Sequence, residues 1–432
     1  MSVEETLLEF INSLEIIDTH EHLPNEHEWA AKTHDVLAEF LTHYFSCDVV
    51  SAGLPQKVLD GTVRDSSQPL MERWGIVEPY WNDARNTGYG RCLDIVARDL
   101  YGLPGVNRDT IQTLNEEFLK RRAAAAKGKS YYRFVLKEKS KIITSLNDEL
   151  FNPARPCDKD YFREVYRLEG LIDLADPVQL EKLGDAMGIR IHSLEDYRAA
   201  VEAGIEKAIA RGAVALKAPF AYSRPIRFAK TAAADAEREF NALFSGPSGP
   251  ESGPARAGRP FALEDYLMHC AMRLADKKGL TVQIHTGLQE GNGNVLSNSN
   301  PELLTNLFLE YRNVTFDIFH ISYPWQNVLA ALAKNFQNVN IDFCWVHIIS
   351  PEAAVRALLE MLDSVPANKI SAFGGDFILP DGVYGHQYLA RRNVAKALAI
   401  KVSEGTFDVD RAKEIAKWVF VDNPKRIFKL KV

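Results

Sequence analysis

The chain has 432 residues, a formal net charge of −7, 46% hydrophobic residues and 25% charged residues. That is enough apolar material for a sizeable core, and it excludes general disorder. There is no basic tract, which excludes nucleic acid as an expected partner, and the length suits one α/β barrel with insertions or two to three smaller domains.

Residues 4–14, EETLLEFINSL, place Leu7, Leu8, Ile11 and Leu14 on one helical face. This N-terminus lacks the positive region and long apolar run of a signal peptide. The short, β-branched EIIDTH follows and predicts strand one. Residues 27 to 138 read as mostly helical, with WAAKTHDVLAEFLTHYF and NEEFLKRRAAAAKGKSYYRFVLKEK the clearest pieces. This block is expected to be a helical insertion after strand one.

Strand-like KIITSLND (141–148) and VYRLEGLID (165–173) come next. The helix LEDYRAAVEAGIEKAIARG leads into the strand AVALKAPF (213–220). TAAADAEREFNALF is followed by SGPSGPESGPARAGRP, which reads as an exposed loop. From there the pattern is regular. A helix precedes LTVQIHTG (280–287), and helices then separate VTFDIFH, VNIDFCW and ISAFGGD. GLQEGNGN after strand five has glycines but no GK[ST], so it predicts a flexible loop over a site, not a phosphate cradle. The basic, amphipathic KEIAKWVFVDNPKRIFKL predicts a helix packed on the exterior. No stretch reaches the roughly 18 apolar residues of a membrane span.

Eight strands, most of them followed by a helix, imply a parallel sheet. The expected fold is a (β/α)8 TIM barrel in which residues 1–432 form a single domain. The alternative, an open doubly wound sheet, lacks the GxGxxG that would follow its first strand.

In such barrels reactive residues lie at the C-terminal ends of the strands. Strand one ends in Asp18, His20 and His22, which share one face by period-two alternation. Lys217 lies in strand four, and His285, His320 and Asp376 end strands five, six and eight. The strand interiors read as largely apolar. Each residue alone has a bland reading: exposed strand histidines are common, lysines snorkel and an aspartate after two glycines caps a turn. Independent accidents would not gather at one end of separate strands. Imidazole with carboxylate is a ligand set for zinc, manganese, iron or nickel, with too few carboxylates for a calcium cage.

This pattern resembles the amidohydrolase superfamily, and VQIHTG, NPELL, FHISYPW, NVNIDFCW and FGGDF look like its amidohydrolase-2 branch. Within it, LKAPFAYSRPI resembles the amidohydrolase-like domain that some plant and fungal proteins carry fused to a glutamine synthetase domain. The resemblance implies a divalent metal, with zinc the first expectation, held by His20, His22, His285 and Asp376. His320 would join if the centre is binuclear, and Lys217 if CO2 carboxylates it. Asp376 would be the catalytic base and His320 would polarise a substrate carbonyl. Such an ion lowers the pKa of water from 15.7 towards about 7.

Asp18 would either support a ligand or cap the strand end. Arg224, Tyr222 and Arg227 follow strand four, and an arginine there suits a substrate carboxylate or an ion pair. Arg167 in strand three calls for an anion or an internal carboxylate. Tyr323 and Trp345 end strands six and seven and read as an apolar wall or as core. Glu21, between the two histidines, faces away from the barrel mouth.

The expected activity is metal-dependent hydrolysis of an amide, ester or lactone in a small, polar, carboxylate-bearing substrate. Uronate-isomerase-like or decarboxylase chemistry on the same scaffold is the alternative, and a non-catalytic binding protein is the rival from another class. The five scattered cysteines, odd in number and without a CxxC pair, fit a reduced cytoplasm. Neither nucleic acid nor membrane is expected as a partner, and a homo-oligomer is left open.

Overall fold

Short β-branched runs alternate with helices along the chain, and the computed structural model, which describes residues 1–148, 157–174, 176–244 and 261–432, arranges them as a ring of parallel strands. The strands are β1 (Ile16–Glu21), β2 (Ile142–Asp148), β3 (Phe162–Arg167), β4 (Ala215–Ala218), β5 (Thr281–Ile284), β6 (Thr315–Ile318), β7 (Val339–Asp342) and β8 (Ile370–Ser371). They pair in chain order, each parallel to the next. Backbone bonds complete the circle beyond β8: Thr19 N–H donates to Phe373 O (3.0 Å), Asp376 N–H to His20 O (2.8 Å) and His22 N–H to Phe377 O (3.0 Å). The fold is the expected TIM barrel.

The N-terminal helix, Val3–Ser13, starts at a capping box in which Ser2 and Glu5 satisfy each other's backbone N–H. It buries Leu7 and Ile11 and packs on the long helix Pro380–Ser403. Between β1 and β2 the longest helices are Leu70–Ala84, Gly88–Tyr101 and Ile111–Ala125. The C-terminal segment seals the lower end of the barrel. Ile427 and Phe428 pack with Leu146, Val165 and Ala215, and Thr281 Oγ1 donates to Ile427 O (2.6 Å). Among the described residues no helix is long and apolar enough to cross a membrane. The expected loop over residues 245–260 lies outside the described residues.

Two expectations need correction. The sequence pattern predicts strand three at 165–173, but β3 begins at Phe162 and ends at Arg167, and Glu169–Ile172 is a helical turn. The Leu168 carbonyl accepts from Leu171 N–H (2.9 Å) and Ile172 N–H (3.1 Å), which turns the chain out of the ladder. The strand interiors, expected to be apolar, hold a polar layer. Gln283, Asp317, Asp342 and Ser371 are all fully buried. Asp18, Gln283 and Asp342 each lie two positions before a strand-end residue, so alternation stacks them directly beneath the barrel mouth.

Candidate metal centre

The strand ends deliver His20, His22, His285, His320, Lys217 and Asp376 to the C-terminal mouth. Three of the side chains there depend on left-handed backbone: His320 has φ 60°, Trp345 φ 63° and Asp376 φ 58°. Non-glycine residues adopt this region at a cost and concentrate at functional sites when they do.

The hydrogen bonds fix the tautomers of all four histidines. His20 Nδ1 lies 3.1 Å from Gln283 Oε1, His22 Nδ1 2.8 Å from Asp148 O, His285 Nε2 3.0 Å from Leu288 O and His320 Nδ1 2.9 Å from Cys344 O. Carbonyl oxygens only accept, so each of these nitrogens carries the proton. Gln283 is oriented by its own amide, which donates to Thr19 O (2.9 Å) and Asp317 Oδ2 (3.2 Å).

The inward nitrogens are therefore lone pairs, and they converge. His22 Nε2 is 3.1 Å and His20 Nε2 3.7 Å from Asp376 Oδ1. His320 Nε2 is 3.9 Å from Asp376 Oδ2 and 3.1 Å from His285 Nδ1. His20 Nε2 is buried without any hydrogen-bond partner.

Facing acceptors repel unless a cation or a proton sits between them. Burial opposes the proton: it holds His20 and His285 well below the usual imidazole range and lowers His320 to about 4. Burial also works to raise Asp376, but a proton on the inward nitrogens would bring the His22 hydrogen bond and the charges of His22, His20 and His320, which outweigh burial and hold the carboxyl well below its usual range. The donor set thus fits a divalent cation. His20, His22 and Asp376 bring ligand atoms within 4.8 Å of one another, and His320, Cys344 and Asp376 form a second such group.

Beside this cluster lies a cavity of about 200 Å³. Arg167 and Lys217, paired in register across β3 and β4, give it cationic walls. Glu169, Glu290 and Asp376 give it carboxylates, and His43, Tyr44 and Tyr222 complete a polar lining. The Lys217 ammonium lies 3.4 Å above the Phe319 ring, and burial lowers its pKa to about 8.

The family model described as Amidohydrolase matches residues 186–430. This chain belongs to the amidohydrolase family. The protein fluG of Emericella nidulans is 27% identical over 174 residues, which is 39% of this amidohydrolase chain and 20% of the relative. The chain therefore matches only about a fifth of that relative's length. In fold it is similar to the uronate isomerase of Thermotoga maritima, with a TM-score of 0.77 at 15% identity over 99% of this chain and 97% of the other. It is similar too to the glucuronate isomerase of Caulobacter crescentus, with a TM-score of 0.77 at 19% identity over 100% and 94%.

The structure does not bring every sequence candidate to the cavity. Arg224 is buried and turned away. Its guanidinium pairs with Glu264 (3.0 Å) and Asp265, donates to the backbone of Pro225 and Arg227, and lies over Phe228 and Phe261. Arg227 is exposed. Arg167 meets the internal carboxylates of Asp148 (2.7 Å) and Glu169 (2.9 Å) while lining the cavity. Trp345 stacks on Tyr44 at 4.5 Å and meets His320 edge-on at 5.1 Å, behind the wall. Tyr323 is half-buried and is not among the residues that line the cavity. Tyr222 is on the wall, with its ring 4.8 Å from His285.

Sequence reasoning missed His43, Tyr44, Glu169, Glu290, Gln283 and Cys344. His43 and Tyr44 come from the helical segment after β1, where no spacing marks them. Glu290 sits in the GLQEGNGN loop, which does lie over the site: Glu290 N–H donates to Tyr222 Oη (3.1 Å) and Asn292 Nδ2 to Cys47 O (3.1 Å).

Because Gln283 fixes the His20 tautomer, Gln283→Leu is expected to weaken Zn(II) binding about 10- to 100-fold with the fold retained. Chelator competition on the apo-protein measures this.

Proposed function

We propose that this chain is a metal-dependent enzyme that hydrolyses an amide, ester or lactone bond in a small, polar, carboxylate-bearing molecule. The observation that carries the reading is the convergence of three inward imidazole lone pairs on the Asp376 carboxylate, with His285 against the third, beside a cavity lined by Arg167 and Lys217. His20, His22 and Asp376 would hold one divalent ion, zinc being the first expectation. His285 and His320 would serve as further ligands; with its proton on Nδ1, bonded to Cys344 O, His320 offers an inward lone pair to an ion and no donor to a substrate carbonyl.

When bound, the ion supplies Lewis acidity and makes water easier to deprotonate. Asp376, kept ionised by its neighbours, accepts the proton of the attacking water and returns it to the leaving group. Arg167 and Lys217 orient the substrate carboxylate. Tyr222 and the loop bearing Glu290 keep bulk solvent from the reacting bond.

Isomerisation of a uronate-like hydroxy acid is the second reading. One observation favours it: the likeness to two uronate isomerases runs over 99% and 100% of this chain, and so includes the segment that brings His43 and Tyr44 to the cavity. The discriminating experiment offers lactones, N-acyl amino acids and uronates to the Zn(II)-loaded protein in 18O-labelled water. Hydrolysis puts one label in the product, isomerisation leaves the substrate mass unchanged, and turnover of none of these classes sinks both readings.

The Lys217 ammonium gives a pH prediction. A lysine binds carboxylate only when protonated, and burial places this group's pKa at about 8. KM is therefore expected to be flat below pH 8 and to rise as the pH climbs through it. Lys217→Arg removes the rise, because guanidinium stays charged. KM measured from pH 6.5 to 9.5, about the range that brackets the transition, checks this.

A further inference from the structure

We propose that Glu21 and His386 are positioning residues that aim Asp376 by gripping the backbone of residues 375–377, an inference that rests on Asp376 being a metal ligand. Asp376 holds a left-handed φ of 58°, a conformation that aspartate tolerates better than most residues and that is fixed here by its surroundings.

All six backbone polar groups of Gly375, Asp376 and Phe377 are paired. Gly375 N–H donates to Asp18 Oδ1 (2.9 Å) and Gly375 O accepts from His386 Nδ1 (3.0 Å). Asp376 N–H donates to His20 O (2.8 Å) and Asp376 O accepts from the Tyr44 hydroxyl. Phe377 N–H donates to Glu21 Oε2 (2.8 Å) and Phe377 O accepts from His22 N–H (3.0 Å). The grip is thus shared by β1, the helical segment after it and the C-terminal helix Pro380–Ser403.

Glu21 does more than accept one bond. A Cβ on Gly375 would lie 1.7 Å from Glu21 Oε1, so the glutamate fills the space that the glycine leaves. The Glu between the two histidines and the second Gly before Asp376 are two halves of one contact. His386 is fully buried, has no partner for Nε2, and packs on Phe373 and Phe377. Its one hydrogen bond goes to the residue before Asp376.

The test titrates the apo-protein with Zn(II) against a competing chelator, with no substrate present. Glu21→Met fills the same volume without an acceptor and is expected to bind Zn(II) at least about 10-fold more weakly, with His386→Phe following it in direction. Glu21→Gln keeps both the acceptor and the shape, and is expected to stay within about threefold of the parent, since a hydrogen bond to backbone N–H needs only an oxygen.

Gly375→Ala alone should lower Tm through the clash. Adding Glu21→Ala should recover Tm but not Zn(II) affinity, a split that a merely structural role would not produce. Glu21→Met binding as tightly as the parent, Glu21→Gln as impaired as Glu21→Met, or Tm and affinity recovering together in the double variant would each overturn the proposal. These outcomes leave the choice between hydrolase and isomerase untouched. A parent protein that takes up no Zn(II) would overturn the ligand reading and this inference with it.

Discussion

The double variant His20→Ala, His22→Ala is expected to fold, to take up no Zn(II), and to lose catalysis by at least about 10⁴-fold, the scale on which a metal-activated water outperforms an unassisted one. It removes two of the three groups whose ligand atoms lie within 4.8 Å of one another. What remains is the second group, His320, Cys344 and Asp376; burial holds the Cys344 thiol well above its usual range and so protonated, and a carboxylate with one imidazole does not hold a divalent ion against water. The fold should survive because each ring leaves only one acceptor short, Gln283 Oε1 for His20 and Asp148 O for His22. Gln283 keeps its bonds to Thr19 and Asp317, and Asp148 O loses only one donor. Thermal unfolding separates the effects. A ligand at 100 times its Kd adds about 2.7 kcal/mol to stability, so Zn(II) should raise the Tm of the parent and leave that of the double variant unmoved. A double variant that still turns over substrate sinks the hydrolase and isomerase readings together.

The parts legible in the sequence were those that depend on period and position. Alternation of short strands with helices fixed the barrel, and alternation within β1 put His20 and His22 on the mouth face. What escaped depends on which partner a side chain finds. Arg224 at the end of β4 has the chemistry to bind a substrate carboxylate, but two acids forty residues on, Glu264 and Asp265, take its guanidinium first. No local pattern announces that. His43 and Tyr44 reach the cavity from a helical run in which they look like any other polar and aromatic residues. Glu21 was read as facing away from the mouth, and it does not line the cavity, yet it is fully buried. Its importance lies in the vacant side of Gly375, 354 positions away in the chain, which only the closing of the barrel reveals. The polar layer of Gln283, Asp317 and Asp342 was in the sequence as Q, D and D at alternating positions. It runs against the general pattern, in which barrel interiors are filled by branched apolar residues.

That layer also shapes what Asp376→Asn should do. Kcat is expected to fall by at least about 10³-fold with KM changed by less than about threefold, the pattern of a group that acts in the transition state more than in binding. The amide cannot accept a proton, and it offers one oxygen to an ion where the carboxylate offered two. The fold should tolerate it, because the apo-protein places His22 Nε2 and His20 Nε2 against Asp376 Oδ1 as acceptor against acceptor, and an asparagine amide turned toward them donates instead. The pH dependence has a definite sign. When acid protonates the inward nitrogens, the His22 hydrogen bond and the charges of His22, His20 and His320 hold the Asp376 carboxyl well below its usual range against the opposing effect of burial. A depressed carboxyl contributes stability above its unfolded pKa of about 3.9 and loses that contribution only as the pH falls through its lower folded value. The parent should therefore carry an acid-side stability loss below pH 4 that Asp376→Asn lacks. Denaturant midpoints measured from pH 3 to 7 on the two apo-proteins test this. Equal acid sensitivity would mean that Asp376 is not held ionised by the histidines, and its assignment as the proton acceptor would fall with it.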